Sequence, residues 1–465
     1  MKSSSRSLWL APFLLVLLAC QLTTRLGQPT PTSDLQRISK ALPQPASPTP
    51  TFTATPLPTQ TLTPTHTPLP TSTPTPTLIP TPSELQLKVF EELWHIVLVN
   101  YLYDDYNGLD WEEVGEDYRR RIQAGLTDAD FYQAMEAMIH SLGDEHSVFL
   151  RPEEATEEDA EYAGENDYVG IGVLTSVVIE RQRAVILVVF PGSPAEEAGL
   201  QSHDSILAVD GEPLVTEDSY RRDLFFGPEN SSVELTVQTP GGEPRQVKLT
   251  RRRVTGSVPV PYTEMITQGG KRVAYILLVT FADETIDNQV ELALKDLTSQ
   301  GPLDGLILDN RQNSGGADDV TRSVLGYFTR GVLGHFIDRQ GSRRAFNVIG
   351  SDINGSSKIP LVVLVGPGTV SFGEISSGVL RDSQRAYLIG GTTEGNVELL
   401  WGYDFDDGSR AWIAHETFRP KNHPEENWEE TGIIPDIQAP SEWDLVTNDT
   451  DPAIIAALEY LDSLK

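Results

Sequence analysis

The sequence predicts an α/β protein with an inserted β-rich module and a helical region ahead of both. Three observations carry this. In the C-terminal half, strand-like and helix-like runs alternate: Arg272 to Thr280 reads as a strand, Thr285 to Ser299 as a helix and Leu303 to Asp309 as a buried strand. A β-rich stretch opens at Tyr168 and runs to about residue 255. Upstream, Leu87, Val89, Phe90, Leu93, Trp94 and Val97 recur at helical spacing. A chain of 465 residues has room for two or three domains with sizeable cores.

The N-terminus comes first. Lys2 and Arg6 form a basic end, an apolar stretch follows from Leu8 to Ala19, and Leu17-Leu18-Ala19 leads into Cys20, the single cysteine. Twelve apolar residues span about 18 Å as a helix, too short to cross a bilayer and suited to a signal segment. The Leu-Leu-Ala-Cys run resembles a bacterial lipobox. That implies a signal peptide at 1–19, lipidation at Cys20 and attachment to the extracytoplasmic face of the cell membrane. One cysteine also excludes an internal disulfide framework and a Cys-based zinc site.

Residues 20–83 read as a spacer. From Pro29 to Ser83 there are 15 Pro and 16 Thr, too few apolar residues for a core and few backbone donors. Such a segment is either an extended stalk or a glycosylated wall-spanning stretch.

Structure is expected from Glu84, with a helical region over 84–155. A second helix should follow Thr127 as N-cap, present Phe131, Met135, Met138 and Leu142 to the core, and end at Gly143. The eight acids between Glu153 and Asp167 are most simply a solvated connector.

From 160 to 255 the pattern becomes specific. Tyr168-Val169-Gly170-Ile171-Gly172-Val173 is followed by Pro191-Gly192-Ser193-Pro194-Ala195, then Ala198-Gly199-Leu200, then Asp204 to Gly211. This resembles a PDZ domain. The resemblance implies that the amides of Gly170, Ile171 and Gly172 converge on a peptide's C-terminal carboxylate while the next strand pairs with the peptide. Tyr220, Leu224 and Phe225, expected on a following helix, either line a side-chain pocket or pack the core. His203 stands where the family usually has glycine, which should strain one turn without affecting peptide capture.

The core spans 256–440. A buried strand ending Leu308-Asp309 runs into Asn310-Arg311-Gln312-Asn313-Ser314-Gly315-Gly316. Another, Pro360 to Val365, leads through Gly366-Pro367-Gly368-Thr369-Val370 to Ser371 and Glu374. A hairpin is expected around Asp407-Gly408, and Asp451-Pro452 should start a final helix within 441–465, packing Ile454, Ile455, Leu458 and Leu461 on the body. With the domain order, these segments resemble the S41 tail-specific, or C-terminal processing, serine peptidases over most of 84–440.

The resemblance implies a crotonase/ClpP-like core with Ser371 as nucleophile. Ser371 opens a helix, whose positive end favours developing negative charge; without the surrounding motif it would read as an N-cap. Amides of Gly315 or Gly316, with that of Phe372, are the candidate oxyanion hole.

One element of the family pattern is missing. Most of these peptidases place a lysine base about twenty-five residues after the serine, where this chain has Asn396, and a glutamine four residues later, where it has Leu400. An amide cannot accept the serine proton. The chain instead resembles the tricorn-core branch, which uses a histidine and a glutamate. Leu142-Gly143-Asp144-Glu145-His146-Ser147 matches the histidine motif, and Trp428 to Asp436 matches the turn that carries the acid. Ser371, His146 and Glu429 are therefore the expected catalytic set, with Glu430 the competitor for Glu429 and a loop-structural role the alternative for His146. An imidazole of ordinary pKa near 6.5 suits a base at neutral pH.

The expectation is a membrane-anchored serine endopeptidase that binds exposed peptide or protein C-termini through the PDZ module and cleaves by acyl-enzyme chemistry. The alternative is an inactive peptide-binding scaffold or sensor. No cofactor or metal is implied. A formal charge of −32 argues against a nucleic-acid partner.

Overall fold

The computed structural model describes residues 81–464, apart from 145, 166, 217–218, 255–261 and 269. The signal segment, Cys20 and the spacer up to residue 80 lie outside the described residues.

The core is a six-stranded sheet in the order Tyr262–Gln268, Lys271–Leu277, Gly305–Asp309, Leu361–Val365, Tyr387–Gly390 and Ile437–Gln438. The first pair is antiparallel and every later pair parallel. Its central strands are apolar on both faces because helices cover them; Leu306, Ile307 and Val362 to Val365 are fully buried. Helices Ile286–Thr298, Asp318–Gly326, Phe372–Asp382 and Pro452–Ser463 share one hydrophobic core with these strands. In the last of them Ile454 and Leu461 are buried and Leu458 packs at the core's edge, whereas Ile455 is exposed, contrary to expectation.

A second sheet is built on the long strand Arg410–Pro420. It pairs with Val148–Leu150, with Gly331–Asp338 and, as the expected hairpin, with Leu399–Asp404. Helices Glu84–Asn100, Trp111–Gln123 and Asp128–His140 pack against this sheet as a core of their own, the third capped by Thr127. This packing carries the N-terminal region to the end of the sheet from which Ser147 contacts Ala414.

The acidic run is not a solvated connector. Pro152–Tyr162 is a helix, and its Glu158 is drawn inward by Arg410 at 2.8 Å and by the Trp412 indole at 3.1 Å. A charge-assisted pair and a proline at the first turn outweigh the repulsion among its acids.

The inserted module has an antiparallel sheet in the order Val173–Val178, Arg183–Val189, Ser205–Val209, Ser232–Gln238 and Arg245–Thr250. Its entry and exit are clasped by Tyr168–Gly170 pairing with Arg252–Val254. The expected helix carrying Tyr220, Leu224 and Phe225 is a single 3₁₀ turn, Arg222–Phe225, which Tyr220 precedes.

Candidate active site

Ser371 sits between strand Leu361–Val365 and helix Phe372–Asp382 with φ 56° and ψ −126°. For a residue with a Cβ this backbone costs on the order of 1–3 kcal/mol, so the surroundings must hold it. Three contacts do so. The Ser371 amide donates to the Asn396 carbonyl at 2.8 Å, and Val370 donates to that of Asn313 at 2.9 Å. Phe372 is buried beside Phe336 and Phe346 of the second sheet, with ring centroids 6.3 and 6.4 Å away, which fixes the start of the helix.

Gly315 lies against Ser371: a Cβ there would stand 2.7 Å from Ser371 Cβ and 2.9 Å from the Phe372 nitrogen. Its own amide donates to Asn313 Oδ1 at 2.9 Å, so of the two glycine amides that of Gly315 is already engaged. The Phe372 amide belongs to the first helical turn, whose donors have no intrahelical acceptor.

His146 arrives from the other end of the chain. Asp144 shapes its turn, its Oδ1 accepting the amides of His146 at 3.1 Å and Ser147 at 2.8 Å. The ring Nε2 lies 2.9 Å from Glu429 Oε1, and Glu429 Oε2 accepts the Val397 amide at 2.7 Å. Glu429 sits on the one-turn helix Trp428–Thr431, anchored by the buried Trp428, whereas Glu430 points to solvent. Among the described residues, His146 Nδ1 is buried with no hydrogen-bond partner.

His146, Ser371, Asn396 and Glu398 line one cavity of about 520 Å³. Arg311, Val279, Val365 and Trp443 of the core and Leu174 to Val178 of the inserted module line it too. Strand Val173–Val178 ends its sheet, so an edge strand of the module borders the space that Ser371 faces.

The electrostatics depart from an ordinary imidazole. Burial disfavours the charged ring, but the hydrogen bond to Glu429 and the charges of Glu398, Glu429 and Asp144 outweigh it, carrying His146 up to about 9. The expected value near 6.5 therefore does not hold, because carboxylates face the ring from three segments.

Glu398 was not anticipated. It is 4% exposed, accepts the Tyr103 hydroxyl at one oxygen, and is pushed well above the usual carboxylate range by burial and by Glu429 beside it. The only available signal was an acid two residues beyond Asn396 in an otherwise apolar stretch.

Glu374 explains the segment around Asn396. Fully buried and raised to about 7 by that burial, it accepts the Thr393 hydroxyl and the amides of Gly395 at 2.9 Å and Asn396 at 2.7 Å. Asn396 thus acts through its backbone, receiving Ser371 on one side and donating to Glu374 on the other.

In the inserted module, Gly170, Ile171 and Gly172 lie outside the cavity lining. The Ile171 carbonyl accepts from Ala195 at 2.9 Å and that of Gly172 from Phe190 at 3.0 Å. Gly172 has φ +81°, and a Cβ on it would meet Ser193 at 2.2 Å, so glycine is required there. Tyr220 and Leu224 pack at the edge of the module's core, and Phe225 is buried in it. The Tyr220 hydroxyl meets Thr175 Oγ1 at 2.7 Å, bridging to the edge strand.

His203 has φ 74°, which accounts for the glycine usual there. Its ring stacks on Trp443 at 4.3 Å, and its Nδ1 meets the Trp443 carbonyl at 2.8 Å. Arg181 adds paired bonds of 2.7 Å to Asp444. The departure therefore docks the module on the core rather than merely straining a turn.

The profile of peptidase family S41 matches residues 272–439, that of the tricorn protease C1 domain 86–140 and that of a PDZ domain 185–239. A carboxyl-terminal-processing protease of Synechocystis sp. is 32% identical over 385 residues, covering 80% of this chain and 86% of the relative. The chain belongs to peptidase family S41. Among solved structures, a photosystem II D1 C-terminal processing protease is 28% identical with a TM-score of 0.54. It covers 80% of this chain and 97% of that one. An S41 protease structure from Bacteroides fragilis, 18% identical with a TM-score of 0.55, covers 80% and 97% and bears on the fold alone. The S41 chain is thus a serine-type peptidase with a PDZ domain and an α/β core.

Proposed function

We propose that this S41 peptidase cleaves near exposed C-termini with Ser371 as nucleophile, His146 as general base and Glu429 as the carboxylate that orients the ring. The observation that carries the reading is the 2.9 Å bond between His146 Nε2 and Glu429 Oε1, which joins segments 283 positions apart and holds a ring that lines the same cavity as Ser371. Neutral His146 takes the Ser371 hydroxyl proton as Oγ attacks the scissile carbonyl; the amides of Gly316 and Phe372 receive the oxyanion. His146 then gives the proton to the leaving amine, and water attacks the acyl-enzyme by the same route. The names of the relatives support substrates with a free C-terminus, and the PDZ edge strand beside the cavity supports capture by strand addition.

The test is turnover of a peptide ending in apolar residues with a free carboxylate, compared with its amidated twin. The free acid should be cleaved faster, and Ser371→Ala should abolish cleavage. Peptide binding without turnover, and without fluorophosphonate labelling of Ser371, supports the inactive-scaffold reading instead.

We also propose that Cys20 carries a lipid anchor on the extracytoplasmic membrane face, with 20–83 as spacer. The lipobox-like run supports this. Incorporation of a labelled fatty acid that Cys20→Ser abolishes is the expected result; labelling that survives the substitution overturns it.

A further inference from the structure

His146, Glu398 and Glu429 each offer a ligand atom, and these atoms lie within 4.8 Å of one another. The donors are one imidazole and two carboxylates, a set that suits zinc with an open position, whereas magnesium and calcium favour oxygen alone. A tetrahedral zinc with bonds of about 2.1 Å needs donors about 3.4 Å apart, within reach of small side-chain shifts.

A second observation points to a ligand. Glu398 is 4% exposed and lines the cavity, yet among the described residues its Oε2 has no hydrogen-bond partner. The Tyr103 hydroxyl holds its other oxygen, and the Val397 amide holds Glu429 Oε2. Both carboxylates therefore carry the outer hydrogen bonds that orient metal ligands. Glu398 Oε2 remains for an ion entering from the cavity, and at Glu429 Oε1 the ion would replace the bond to His146 Nε2.

We propose that His146, Glu398 and Glu429 form a zinc site, and that one bound Zn²⁺ blocks the peptidase by replacing the bond between His146 Nε2 and Glu429 Oε1 that orients the imidazole. Binding rests on the cluster alone; the block rests on His146 being the general base. Zinc takes the Nε2 lone pair and displaces any proton held there to solvent, so binding weakens as pH falls.

The experiment titrates the chelator-stripped full chain carrying Ser371→Ala, which prevents self-cleavage, with Zn²⁺ alone by calorimetry. One equivalent should bind, Mg²⁺ should give no comparable heat, and adding Glu398→Gln should weaken zinc binding about tenfold or more. The Glu398→Gln chain must keep its thermal transition. As a readout free of variants, crystals of the wild-type chain soaked in zinc should show anomalous density among the three side chains. No binding, binding unchanged by Glu398→Gln, or density elsewhere only, overturns the site. Zinc should also inhibit wild-type hydrolysis, reversibly on chelation. Zinc that binds at the cluster without slowing hydrolysis upholds the site and removes His146 from the base role.

Discussion

Ser371 is held mainly by strands and loops that converge on its turn, whereas His146 is held by an acid from the far end of the chain. The serine's constraint is mechanical: a strained φ of 56°, a glycine pressed against its Cβ, and an amide locked to Asn396. The histidine's constraint is electrostatic, one hydrogen bond and three nearby carboxylates acting against burial. On the proposed mechanism, the difference is how a Ser/Lys arrangement would give way to Ser/His within one fold. The segment after Gly395 fixes the serine through its backbone, so its side chain is free to change, and the proposed proton acceptor comes from the loop after the N-terminal helices.

If this division holds, substitutions on the two sides should fail differently. Ser371→Ala and His146→Ala should each lower kcat/KM by about 10⁴-fold or more with unchanged thermal unfolding, read from initial rates. Asn396→Lys should rescue neither, because the base lies elsewhere; activity restored to His146→Ala by that lysine would collapse the contrast. Glu429→Gln should cost between about 10² and 10⁴-fold, mostly in kcat, since it removes orientation and the charge that stabilises the imidazolium.

The pH profile sharpens the electrostatic half. The base must be neutral, so kcat/KM in metal-free buffer should rise with pH through an apparent pKa near 9, leaving activity at pH 7 about 100-fold below the plateau. Loss of a nearby negative charge disfavours the imidazolium, so Glu429→Gln should move this limb to lower pH. A wild-type limb near 6.5 would mean that the carboxylates do not act on the ring as the structure indicates. The mechanical half predicts the smallest effect. Ser371→Gly should be more stable than Ser371→Ala by about 1 kcal/mol in denaturant unfolding, because only glycine adopts that backbone freely.

What was legible in the sequence follows from the same contrast. The serine turn, the Leu142 to Ser147 turn and the Trp428 turn are local patterns of glycine, acid and aromatic residues, and each could be read where it stands. The parallel strands were readable because burial on both faces makes them continuously apolar. The partnership of Glu398 with Tyr103, and its approach to His146, depends on three segments meeting and leaves no periodic trace. The acidic helix Pro152–Tyr162 was misread because composition reports charge but not that Arg410 and Trp412 await Glu158. His203 was read as a local strain, since its partner Trp443 lies 240 residues away and belongs to a stretch with no motif.

The most direct test is the second-order rate of fluorophosphonate modification at Ser371, followed by intact mass and peptide mapping across pH 6 to 10 in wild type and His146→Ala. Wild type should label at Ser371 alone, with a rate that rises toward a limb near 9, and His146→Ala should label at least about 100-fold more slowly with no such limb. Equal labelling of the two proteins, or none of Ser371 in wild type, would contradict the account.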